Sequence, residues 1–172
     1  RYQLKIAEKF YLSGDYKAAT SEYEKFLTLY ERSVGGPYSL LMWSHCQVKL
    51  RLVNTAVREG FKSVIDYWPD SNEAILSTFM IGNCHLLQGE PKRAEKVFES
   101  VVIDYPKHYL ETLAQVELLG IAATRKDEER QVELWTAIAF KTAKTRETAT
   151  HRSMASRSLA MYHFREGEFP KG

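Results

Sequence analysis

Residues 94–106 read Ala94-Glu95-Lys96-Val97-Phe98-Glu99-Ser100-Val101-Val102-Ile103-Asp104-Tyr105-Pro106. Ala94, Phe98, Val101, Val102 and Tyr105 fall at the spacing i, i+4, i+7, i+8, i+11, which lays five apolar side chains along one face of an α-helix that ends at the proline. The same template stands 37 residues earlier as Val57, Phe61, Val64, Ile65, Trp68, and 38 residues before that as Ala19, Tyr23, Phe26, Leu27, Tyr30. One apolar face needs a partner helix, and a face that recurs down the chain is buried by stacking one copy on the next. The expectation is an all-α chain, an α-solenoid of antiparallel helix pairs with its inner wall open for binding.

Turn chemistry supplies the boundaries. A first pair is expected at Tyr2 to Ser13 and Tyr16 to Glu31, joined through Gly14 and Asp15, where glycine suits a left-handed residue and aspartate caps the next helix. Ser33-Val34-Gly35-Gly36-Pro37 interrupts the pattern, and Pro37 suits a first helical turn because its missing N–H would be unbonded there. The second pair runs from Tyr38 to Leu52 and from Thr55 to Trp68. Asp70 with Glu73 resembles a capping box and opens a third pair, Ser71 to Leu87 and Pro91 to Tyr105, turned at Gly89 and Glu90. A fourth pair, His108 to Thr124 and Asp127 to Thr145, departs from the template, with Gln131 and Thr142 in apolar slots while Trp135 keeps the ring; looser or tilted packing is expected. A ninth helix, Glu147 to Glu166, leads to Gly167-Glu168-Phe169, an echo of Gly14-Asp15-Tyr16. The chain is thus expected to be one array, with units at 1–32, 33–69, 70–106 and 107–145 and a helix at 146–166, from a longer protein.

Bulk properties narrow the function. With 172 residues, 44% apolar, 24 basic and 22 acidic, the chain has ample core material. Its near-balanced charge gives no field to draw it to nucleic acid or an anionic membrane. No run reaches the roughly 20 apolar residues of a bilayer span. Two cysteines, Cys46 and Cys84, cannot make a disulfide framework.

The third unit, with Gly82, Ala94, Phe98 and Pro106 in the slots for small, small, aromatic and helix-ending residues, resembles a tetratricopeptide repeat. Ala7, Ala19 and Tyr23 match in the first unit; His45 and Val57 depart from the small slots in the second. The 37- and 38-residue spacings are longer than the family's usual unit. This form, with Phe-Glu-Ser-Val-Val-Ile-Asp-Tyr-Pro at 98–106, is similar to bacterial cell-envelope tetratricopeptide proteins, which points to the envelope or periplasm and leaves the cytoplasm open. The resemblance implies a right-handed superhelix whose concave groove, lined by the first helix of each pair, holds a protein or peptide partner. The groove positions it carries over are Leu4, Glu8 and Tyr11; Met42, Cys46 and Lys49; Phe79, Asn83 and Leu86. Only Asn83 and Lys49 suit the family's carboxylate clamp, and Glu8 opposes an anion, so the groove is expected to take apolar side chains or to be filled by the protein's own further helices. Some of these positions are equally well read as core.

Other constellations carry less. His45-Cys46 and Cys84-His85 have the residue types for zinc, but neighbouring residues on a helix point about 100° apart and cannot converge on one ion; buried thiols with hydrogen-bonded histidines are the better reading. Lys141, Lys144, Arg146, His151, Arg152 and Arg157 make a basic stretch that could meet phosphate or an acidic partner, although without interleaved aromatics it reads first as a solvated helix end, and no nucleic-acid partner is expected. No phosphate loop, nucleophile elbow or zinc-protease motif occurs, so no cofactor and no catalysis are expected. An apolar end face at 150–165 would let the chain self-associate.

Overall fold

A computed structural model of the chain describes residues 2–30, 33–141 and 146–167. Among these residues there are nine helices and no strand: α1 (Tyr2–Leu12), α2 (Tyr16–Tyr30), α3 (Gly36–Lys49), α4 (53–67), α5 (Asn72–Leu87), α6 (Pro91–Asp104), α7 (Tyr109–Arg125), α8 (Glu128–Ala139) and α9 (Arg146–Arg165). The chain divides into two compact units, Arg1–Ala94 and Glu95–Gly172.

The helices are tied in hairpins by one local device. Backbone φ is positive at Gly14, Arg51, Gly89, Lys126 and Gly167 (81°, 66°, 73°, 58° and 72°), positions 37, 38, 37 and 41 residues apart. At the first four, the left-handed residue donates its N–H to the carbonyl three residues back and the next residue donates to the carbonyl five back: Gly14 to Tyr11 and Asp15 to Phe10, Arg51 to Val48 and Leu52 to Gln47, Gly89 to Leu86 and Glu90 to His85, Lys126 to Ala123 and Asp127 to Ala122. This is the Schellman closure, which satisfies carbonyls left over at a helix C-terminus and reverses the chain at once. Gly167 makes the first of the two bonds, to Phe164; Glu168 and Phe169 lie outside the described residues. The repeat is therefore written in the backbone as well as in the side chains, and it reaches past the third unit, where the apolar template fades.

In the Arg1–Ala94 unit, α1 packs on α2, α2 on α3, α3 on α4, and α5 on both α3 and α4. The template accounts for the core. Ala19, Tyr23 and Phe26 of α2 and Val57, Phe61 and Val64 of α4 are buried, while the fourth slot (Leu27, Ile65) is half-buried and the fifth is exposed at Tyr30 and half-buried at Trp68. Fully burying rings such as Tyr23 and Phe61 stabilises by roughly 1.5–3 kcal/mol each through removal of apolar surface from water.

Two details depart from the sequence expectation. Helix α4 is π-helical over Ala56–Phe61, a widened turn that adds a residue and explains how the second unit can be longer than the first while keeping its buried face. The close approach of α3 and α4 is made by Ser44 and Gly60, not by His45 and Val57: a methyl group at Gly60 would lie 2.0 Å from Ser44 Oγ and 2.7 Å from its Cβ. The third helix pair starts at a cap on Ser71, whose hydroxyl accepts from the Ala74 N–H at 3.1 Å, one residue after the expected Asp70.

In the Glu95–Gly172 unit, α7 packs on α8, and α9 on both. Phe98 and Val101 of α6 are fully buried, as the template requires. Asp127 caps α8 through Oδ1, 3.1 Å from the Arg130 N–H, as its place before the helix predicts. Helix α8 ends at Ala139, earlier than expected, with Phe140 closing on the Thr136 carbonyl; residues 142–145 lie outside the described residues. Its buried side chains are Leu134 and Ile138, and Trp135 is half-buried against Tyr162 of α9, ring centroids 6.5 Å apart.

Candidate partner-binding surfaces

The positions carried over for a groove all lie in the Arg1–Ala94 unit, on α1, α3 and α5. They separate by environment. Cys46 and Phe79 are buried, and Leu4, Tyr11 and Met42 pack against the cluster of Ala7, Ala19, Tyr23, Trp43 and Cys46. These five serve the interior. Lys49 is exposed; Glu8, Asn83 and Leu86 are half-buried, which leaves each a polar or apolar face to offer.

Glu8 is held rather than free to swing. The Tyr38 hydroxyl donates to its Oε1 at 3.0 Å. Burial, and then the carboxylate itself, push the Tyr38 phenol up to about 12. The neighbouring Tyr23 phenol, wholly buried, is pushed higher still by the same desolvation and by Tyr38. The effect is a fixed carboxylate backed by phenols that stay protonated. Trp43 donates through its indole N–H to Glu24 at 2.8 Å, so the rings of this unit are anchored at their polar ends.

The cysteine and histidine pairs do not meet as ligands: among the described residues no group of three His, Cys, Asp or Glu side chains is placed to hold a metal. Both cysteines are free and buried, and burial pushes their thiols up to about 11. His85 meets Glu90 through Nδ1 at 2.8 Å, across the hairpin turn. The His45 ring packs edge-on against Phe61 at 5.6 Å, and burial lowers its pKa.

The basic stretch is not one surface. Lys141 is buried at the end of α8, its ammonium donating to Glu111 Oε2 at 2.5 Å and to the Thr112 hydroxyl at 2.9 Å. Lys144 lies outside the described residues. Arg146 and Arg157 are exposed, and Arg152 is half-buried, with Nε and Nη1 making no hydrogen bond among the described residues.

Helix α9 exposes Met154, Met161 and Phe164 at 61%, 68% and 73%. With Trp135 of α8 they border an open groove of about 790 Å³, where Arg165 lies over the Tyr162 ring at 5.3 Å and pairs with Glu128.

A second cleft, about 340 Å³, lies among α6, α7 and α8 within the Glu95–Gly172 unit, with Val102, Leu118 and Leu134 on its walls. Gln115 lines it, 6% exposed, and its Oε1 accepts no hydrogen bond among the described residues. Arg130 stands at the rim between Glu133 (2.9 Å) and Glu99 (3.4 Å). Reading the sequence missed this cleft. The available signal was a glutamine on the face of α7 that carries Leu118 and Ile121, where an apolar residue is the rule.

Helical hairpins closed by the same turn at a near-constant interval define a helical-repeat protein. Residues 77–108, covering most of α5 and all of α6, match the family model described as tetratricopeptide repeat. The chain accordingly carries a repeat of the tetratricopeptide family, a non-catalytic scaffold that mediates protein–protein interactions. No curated protein is matched by the chain. No helix among the described residues is long and apolar enough to cross a membrane.

Proposed function

We propose that this protein is an interaction scaffold, a single array of repeats that holds a peptide or partner segment along its A helices, α1, α3 and α5. The observation that carries the reading is the tetratricopeptide match across α5 and α6, with Asn83 and Leu86 only half-buried on α5. Recognition falls to Glu8, Lys49, Asn83 and Leu86; Leu4, Tyr11, Met42 and Phe79 shape the wall from behind. A carboxylate clamp is not part of the proposal, because Glu8 is fixed by Tyr38 where a clamp would need a cation or neutral donor.

The test is a peptide-array screen with the full chain, followed by titration of the best binder against Glu8→Ala, Asn83→Ala and Leu86→Ala. A loss of tenfold or more in at least one variant, with unchanged melting temperature, supports the groove, tenfold being the usual scale of a hot-spot contact. Unchanged binding in all three removes it. Self-association through α9 is a second reading, favoured by the exposure of Met154, Met161 and Phe164. Sedimentation velocity should show a concentration-dependent dimer that Met161→Glu abolishes; a monomer at high concentration rejects it.

A further inference from the structure

The cleft among α6, α7 and α8 has chemistry that the A-helix reading does not use. We propose that it is a docking pocket for a tryptophan side chain of a partner protein, one whose tryptophan is flanked by basic residues. Three observations carry this. First, the walls are Val102, Leu118 and Leu134, and the volume of about 340 Å³ falls at the lower end of the range for specific ligand pockets, roughly 300–1,000 Å³. Second, the floor presents one buried acceptor without a donor, the Gln115 carbonyl oxygen. A buried polar atom of this kind is costly unless something arrives to satisfy it.

The side chains able to answer differ in what else they bring. A lysine ammonium needs three acceptors and would lose its hydration for one. A tyrosine hydroxyl brings lone pairs that ask for a donor in return. The indole N–H is donor only, on a large apolar ring, which matches one acceptor among aliphatic walls and demands nothing further. Third, the rim carboxylates of Glu99 and Glu133 share the single guanidinium of Arg130. One negative charge is left over, and it favours lysine or arginine beside the inserted ring.

The experiment uses the full chain and an acetylated, amidated tripeptide of lysine, tryptophan and lysine, titrated by calorimetry. The expected results are saturable binding, about tenfold weaker binding when the indole nitrogen is methylated, and weaker binding when glutamates replace the lysines, one neutral hydrogen bond being of that order. In Gln115→Met the methylated and unmethylated peptides should bind alike. Ala137→Phe, an exposed position on α8 that borders the cleft, should fill it and abolish binding while the circular dichroism stays native. No binding to the wild type, equal affinity for the methylated peptide, or retained binding in Ala137→Phe would each overturn the proposal. So would free indole binding as tightly as the tripeptide, which would mark a small-molecule site. None of these variants touches α1, α3 or α5, so failure here leaves the A-helix groove standing, and failure there leaves this cleft.

Discussion

Phe98 and Trp135 occupy the same slot of the repeat, 37 residues apart, and live in different surroundings. Phe98 is fully buried; Trp135 is half-buried, and the adjacent Leu134 has taken the interior place, with Ile138 beside it. The turn preceding each helix is the same, Gly89 in one case and Lys126 in the other, with the same pair of backbone bonds. A hairpin closure is local and survives when the face it positions has changed. Which residues of that face go inside is decided by the neighbouring helices, and α8 answers to α7 and α9 by turning the residue before the template ring inward.

The largest test of this contrast is truncation. Phe98→Ala should cost about 3–5 kcal/mol, the sum of lost transfer energy and a cavity that cannot collapse, whereas Trp135→Ala, already half in water, should cost about 1–2 kcal/mol. Urea denaturation compares them, and equal losses would break the comparison.

A second test asks how closely a template helix is fitted. Gly60→Ala should destabilise by about 1–3 kcal/mol through the overlap with Ser44, and Ser44→Gly in the same chain should recover most of it. A neutral Gly60→Ala would mean that α3 and α4 yield more easily than their buried faces imply.

Titration gives a third. His45 has its pKa lowered, first by burial and then by Lys49, so its unfolded form binds protons more readily than its folded form. Stability is complete above the unfolded value of about 6.5 and falls as pH drops from there through the lower folded value. His45→Gln should flatten that slope in part, His108, also lowered by burial, supplying a remainder. An unchanged melting profile between pH 7.5 and 5 would refute the role given to His45.

The smallest effect lies in the turns. Lys126→Gly should stabilise by up to about 1 kcal/mol and Gly89→Ala should destabilise by about as much, since only glycine adopts φ near +60° without crowding its own Cβ. Opposite signs in thermal melts would show that the two turns are the same object.

Much of the architecture was legible. The apolar template located α2, α4 and α6; Gly14 and Gly89 marked two turns; Asp15 and Asp127 marked two caps, and both accept from the N–H three residues on. What escaped has physical causes. Arg51 and Lys126 adopt a glycine's conformation without being glycine, so the turns of the second and fourth hairpins carry no compositional flag. The π-helical turn of α4 leaves the i, i+4 spacing of Val57 and Phe61 intact and is invisible to a periodicity test. The groove residues came from resemblance, and resemblance could not distinguish Leu4 or Phe79, which support the wall, from Asn83, which faces outward in part. The Gln115 cleft was silent because its significance is a missing partner, which only three dimensions reveal.

Five like-built reversals also bear on how the chain finds its form. Each is closed by atoms no more than five positions apart, so a pair of helices can meet before anything distant has been located, and little loop entropy stands in the way. Domains dominated by such short-range contacts reach the native state in microseconds to milliseconds. For this chain, assembly would run pair by pair, with a lesion in one reversal delaying its own pair and sparing the others.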